Sequence, residues 1–174
     1  MTKLSIYFYL FNATLRDFDL DGTIANFTAF ADEVVVSTVA SQDDTLERLE
    51  AHQERLGSNR LKVVLTNIDP LTNNRFDGDL KTAALEHCTH PIRVIADADE
   101  RFILAQRARW DAAAVRLLMN SQQDGWTIPV VDLWGSVDYI RLNEPIGVKF
   151  RMHKGGLRRG VWKPPSKSPL GCLL

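Results

Sequence analysis

Cysteine is scarce in this chain of 174 residues, with Cys88 and Cys172 alone and no C-x-x-C or Cys/His spacing. That excludes a disulfide framework and a zinc site built on thiolates, and it points to a reducing, cytoplasmic setting. Long apolar runs are also missing. Residues 4–11 are apolar, but a bilayer-spanning helix needs roughly 20 such residues, and no signal-peptide cleavage pattern follows. Neither sign of charge is in excess: 21 Lys and Arg face 22 Asp and Glu, for a formal net charge of −1. A nucleic-acid partner is not expected from that balance. Cys172 stands third from the end, which does not fit a prenylation box. No internal repeat is visible.

What is present is ordinary for a globular protein, with 45% apolar and 25% charged residues. The length suits one domain, expected over residues 1–162. Strand-length apolar runs at 4–11, 33–36, 61–65 and 93–96 alternate with helical patterns at 22–31, 45–56 and 79–88. Gly57 stands where the second helix should stop. Such alternation, with strands apolar on both faces, predicts an α/β fold: a three-layer sandwich around a mostly parallel sheet. A further helix is expected over 103–119 and an apolar strand over 126–134. From Lys149 to Lys167 the chain is basic, and Pro164, Pro165 and Pro169 make 163–174 a poorly ordered Pro/basic tail. That basic stretch is expected to be solvated, to steer an anionic donor, or to touch an anionic membrane surface.

The fourth apolar run ends in Asp97-Ala98-Asp99. In extended backbone, residues two apart project the same way, so both carboxylates leave one strand end together. Oxygen ligands of this kind suit Mg²⁺ or Mn²⁺, and such ions commonly bridge to phosphates; a turn after a strand is the plain alternative. Ligands of open α/β sheets bind beyond the carboxyl ends of the strands, where this pair is expected.

Two families share these residues. Asp17-Phe18-Asp19-Leu20-Asp21-Gly22-Thr23 resembles the D-x-D-G-T motif of haloacid-dehalogenase-like phosphatases. That resemblance implies Asp19 as nucleophile and Asp21 as acid/base, with Thr66, Lys81, Asp97 and Asp99 completing the set. Its context is wrong, because the polar stretch 12–17 intervenes between the apolar strand and the motif, and Asp and Thr at that place also serve as helix caps. The second resemblance runs from residue 4 to 102 and, more faintly, through 126–156. Strand 6–11 followed by Asn12, then Ala31-Asp32-Glu33-Val34-Val35-Val36, Ser41-Gln42-Asp43-Asp44-Thr45, the small-residue helix Phe76 to Cys88, and Val94 to Asp99 are together similar to family 2-like glycosyltransferases with the GT-A fold.

This second resemblance implies a nucleotide-diphosphate sugar as donor, a glycan or lipid-linked sugar as acceptor, and Mn²⁺ or Mg²⁺ held by Asp97 and Asp99. Asn12, Ala13, Asn67, Asp69, Lys81 and Asp97 are then the donor-binding candidates. Against each stands a plainer role: a turn for Asn12 and Asp69, an exposed lysine for Lys81, and helix capping for Asp43 and Asp44. Trp126 and Trp134 suit either an acceptor sugar or the core. Ser37, Thr38 and Val39 replace the acidic end of the family's second strand. The catalytic base is unassigned, with Asp132, Asp138 and Glu144 as downstream candidates. An inactive, shortened derivative of the fold is the remaining alternative.

Overall fold

The computed structural model describes residues 2–131, 133, 134, 136–140 and 147–155. Its centre is β1 (Leu4–Tyr9), whose Leu4, Ile6 and Phe8 point to one face and Ser5 and Tyr7 to the other, all buried. A strand covered on both sides takes parallel neighbours joined by crossover helices. β1 pairs in parallel with β2 (Glu33–Thr38) and β4 (Ile92–Ile95), and β2 with β3 (Leu61–Leu65). The connections are α1 (Leu20–Phe30), α2 (Thr45–Leu56) and α3 (Phe76–Glu86). α2 stops at Gly57, whose φ of 86° lies in the left-handed region that suits glycine.

After β4 a 3₁₀ turn leads into α4 (Arg107–Met119) and then β5 (Gly125–Val130). β6 (Leu133–Trp134) and β7 (Ser136–Ile140) form a small antiparallel pair. β8 (Gly147–Lys154) returns antiparallel between β4 and β5, giving a six-stranded mixed sheet in the order β3-β2-β1-β4-β8-β5. This corrects the expectation that the chain is solvated from Lys149 onward: Arg151, Met152 and His153 are buried. Residues 163–174 lie outside the described residues, as do the other basic residues of the stretch from 158 onward.

The main core fills one face of the sheet. Leu4, Ile6, Phe8, Val34, Val36, Val94 and Met152 meet Phe27 and Phe30 of α1, Leu49 of α2 and Trp110 and Leu117 of α4. The rings interlock, with Phe8 edge-on to Phe27 at 5.1 Å and Phe30 stacked on Phe102 at 4.6 Å. On the opposite face Tyr7 and Val35 pack with Ala84 of α3 and Cys88. These are the three layers expected. β3 and α2 have the expected bounds, whereas β1 stops at Tyr9 because the chain turns at Asn12, with a φ of 50°.

At the edge where the strands begin, Glu33 ties four segments together. Its carboxylate accepts from Ser5 Oγ, from Lys62 Nζ at 2.5 Å, and from Thr89 N and Oγ1 at 2.8 and 2.9 Å. Burial would raise its pKa, but Lys62 and the hydroxyl and amide donors hold it down, at about 2.

Candidate functional site

The opposite edge, at the carboxyl ends of β1 and β4, holds a cleft of about 240 Å³. Tyr9, Leu10, Phe11, Arg16 and Phe18 line it from the β1 side, Asp97, Ala98 and Asp99 from the β4 side, and Lys149 from β8. The first wall is a loop fixed by backbone bonds. Asn12 Oδ1 accepts from Gln42 N at 2.9 Å, Ala13 N donates to Thr45 Oγ1 at 2.7 Å, and Leu15 N donates to Asp43 Oδ2 at 3.0 Å. Asp43 and Asp44 therefore staple this loop to the start of α2. Asp44 holds the N-cap position of α2 but makes no side-chain capping bond; its carboxylate accepts from Thr14 Oγ1 at 2.5 Å.

The second wall is a tight turn. Ala96 N donates to Tyr7 O at 3.1 Å, ending the β4 ladder, and Glu100 then folds back so that its Oε2 accepts from Asp97 N at 3.0 Å. Behind this turn sits Thr23 of the D-x-D-G-T segment, whose Oγ1 donates to Ala98 O at 2.7 Å. Asp19 caps α1 by accepting from Gly22 N at 2.9 Å, and a Cβ at Gly22 would lie 1.9 Å from the Asp19 carboxylate. Asp19 also pairs with Arg101 at 2.9 Å, and Asp21 with Arg48 and His52 at 2.8 and 2.7 Å. The phosphatase assignment is thereby corrected. Asp19 and Asp21 open a helix ten residues beyond the last residue of β1, and Lys81 pairs with Asp97 instead of either. Their spacing serves a helix cap and a buttress.

Asp97 is engaged on both oxygens. Lys81 Nζ donates to Oδ1 at 2.5 Å, while Arg151 Nη2 and Lys149 Nζ reach Oδ2 at 2.8 and 3.2 Å. Lys149 also donates to Glu100 Oε1 at 3.1 Å, and Arg151 makes a shorter bond to the same atom. Burial would raise the Asp97 pKa, but the bonds and charges of Lys81 and Arg151 prevail and hold it far below the usual carboxylate range. Lys81 further lies over the Tyr9 ring at 5.7 Å, and Tyr9 donates its hydroxyl to Asp77 Oδ1 at 2.7 Å. Across the cleft, Arg16 lies over the Phe11 ring at 5.4 Å. No carboxylate pairs with Arg16 among the described residues.

A divalent ion fits this arrangement poorly. Mg²⁺ and Mn²⁺ need several anionic or neutral oxygens free to coordinate, and both Asp97 oxygens are bound to cations. Among the described residues no group of three His, Cys, Asp or Glu is placed to hold a metal. Asp99 lines the cleft and is exposed, but it does not share an open pair with Asp97. The expected Mn²⁺ or Mg²⁺ site at Asp97 and Asp99 therefore disagrees with the surroundings of Asp97.

The other expectations separate. Lys81 and Asp97 come together, and Asn12 and Ala13 shape the cleft's first wall. Asn67 and Asp69 follow β3, outside the cleft lining. Asp69 serves its own turn, accepting from Leu71 N and Thr72 Oγ1 at 2.8 and 2.7 Å. Trp126 packs on the core and donates to Ala113 O at 3.3 Å. Asp132 and Glu144, and the side chains of Trp134 and Asp138, lie outside the described residues. Of the basic stretch expected at a membrane surface, Arg151 and His153 are buried. Lys149 and Arg151 turn to the cleft carboxylates, and buried His153 bonds Tyr7 Oη through Nε2 at 2.9 Å. The sequence did not point to Arg16 or Glu100 as cleft residues, and it pointed to Lys149 and Arg151 only as members of a basic stretch able to steer an anionic donor.

No protein-family model and no curated protein matches the chain. Solved structures do. Residues 1–349 of S. aureus TarS in complex with UDP align with a TM-score of 0.54 at 21% identity, covering 78% of this chain and 37% of that one. The fold is GT-A. A second GT-A structure, the mannosyltransferase PcManGT from Pyrobaculum calidifontis in complex with GDP-Man and Mn²⁺, gives 0.53 at 24% identity, over 75% and 35% of the two chains. This chain thus spans little more than a third of the length of the GT-A structures it matches. Among the described residues no helix is long and apolar enough to cross a membrane.

Proposed function

We propose that the chain is the donor-binding part of a glycosyltransferase, which takes a sugar from a nucleotide-diphosphate donor for transfer to a glycan or lipid-linked acceptor. The observation that carries this reading is the cleft at the carboxyl ends of β1 and β4, where aromatic and cationic side chains face one another. A nucleotide sugar offers what such a cleft recognises: a flat base for Tyr9, Phe11 and Phe18, and a diphosphate for Lys149 and Arg16. The loop at Asn12 and Ala13 sets the base-side wall, and Lys81 holds the turn at Asp97. The place also agrees with the general rule for open α/β sheets. Asn67 and Asp69 have no part in this proposal.

Thermal unfolding in the presence of a series of nucleoside diphosphates and their sugar conjugates tests it. A ligand at a hundred times its Kd adds about 2.7 kcal/mol of stability. For a chain of this size that raises Tm by about 5–10 °C. A chain that none of these compounds stabilises does not have a donor site. Release of free sugar from a bound donor, followed by chromatography, then separates a transfer-competent site from an inactive, binding-only derivative.

A further inference from the structure

We propose that this cleft neutralises the donor's diphosphate with its own ammonium and guanidinium groups and needs no divalent ion. The proposal rests on the donor-binding reading above and deepens it. Three cations, Lys81, Lys149 and Arg151, meet the two carboxylates Asp97 and Glu100, and with Arg16 and the exposed Asp99 of the cleft lining four cations stand against three carboxylates. The members differ in freedom. Arg151 has a side chain only 7% exposed and spans both carboxylates, so it is fixed in place. Its part is to cancel negative charge that would otherwise repel an incoming phosphate.

Lys149 is 49% exposed, lines the cleft and bonds Asp97 at the longest distance of the three. Its ammonium can turn from carboxylate to phosphate while Lys81 and Arg151 keep Asp97 satisfied. Arg16 adds a second cation on the facing wall, unpaired with any carboxylate among the described residues and backed by the Phe11 ring. A divalent ion at Asp97 would have to displace Lys81 and Arg151 from the oxygens it needs, and would then sit against their charges.

Isothermal titration of the chain with inorganic pyrophosphate, and with the best-binding nucleoside diphosphate, is run in EDTA and again in Mn²⁺. Affinity within about threefold between the two buffers is expected. Lys149→Ala should weaken binding about three- to tenfold in both, the loss of one partly exposed charge-assisted bond. Asp97→Asn, its folding checked by circular dichroism, should keep or tighten binding in EDTA, because a negative charge has gone. A metal ligand would behave in the opposite way. Binding that appears only with Mn²⁺ and disappears in Asp97→Asn overturns this proposal and leaves the donor site standing. Absence of binding in either buffer overturns both readings.

Discussion

Thr23 is the residue at which a catalytic-looking spacing becomes a structural one. Its hydroxyl donates to the carbonyl of Ala98 at 2.7 Å and accepts from Arg101 at 2.9 Å, so helix α1 holds the turn that carries the cleft's second wall. Thr23→Val keeps the shape and deletes both bonds. It should cost about 1–2 kcal/mol, since it leaves a carbonyl and a guanidinium short of a partner. That is a Tm lower by about 3–6 °C in calorimetry. Asp19→Asn tests the neighbouring position. Asparagine caps a helix as well as aspartate, and the lost pair with Arg101 lies on an exposed side chain. Stability and nucleoside diphosphate binding should both stay at the wild-type level; a loss of all ligand binding would restore a chemical role to Asp19.

At the scale of elements, β8 supplies the cations beside the cleft's second wall. It brings Lys149 and Arg151 beside β4 and seals the core with Met152, which is fully buried opposite Val94. Met152→Ala should therefore destabilise the chain by about 2–4 kcal/mol in urea unfolding, the usual result of emptying a packed core position. In a loose tail the same change would stay within about 0.5 kcal/mol. The signal for this strand was legible: Val148, Phe150 and Met152 alternate with Lys149, Arg151 and His153 at the period of a half-buried strand. The basic composition and nearby prolines drew attention from it. The parallel half was easier to read, because β1 to β4 are nearly continuous apolar runs and their order follows from crossover rules. The Asp97–Asp99 pair and its strand end were legible as well. What one segment could not reveal was the neighbour of Asp97, since Lys81 and Arg151 are brought to it from 16 and 54 residues away.

For the molecule as a whole, buried titratable groups confine maximal stability to a window of pH. His153 is buried, bonded to Tyr7 Oη through Nε2 and to the Lys154 carbonyl through Nδ1, and burial above all lowers its pKa from the ordinary 6.5. The folded state thus takes up that proton less readily than the unfolded one, and stability falls as the pH drops through 6.5 towards the lowered value. Glu33 acts lower down. Its pKa of about 2 against an ordinary 4.5 contributes on the order of 3 kcal/mol above pH 4.5, lost as the pH falls towards 2. Cys88 sets the alkaline side. Burial pushes its thiol from the ordinary 9.0 up to about 12, so the unfolded chain ionises first and stability declines above pH 9. Tyr7 is raised in the same sense, chiefly by burial. Tm followed across pH should therefore be flat between about 7 and 9, with a first acidic step below 6.5 and a steeper one below 4.5. Glu33→Gln should lower the plateau and flatten the steeper step, whereas His153→Gln should abolish the first step alone. A first step that survives in His153→Gln would mean that another group titrates there, and the buried Tyr7–His153 pair would then have no share in the pH response.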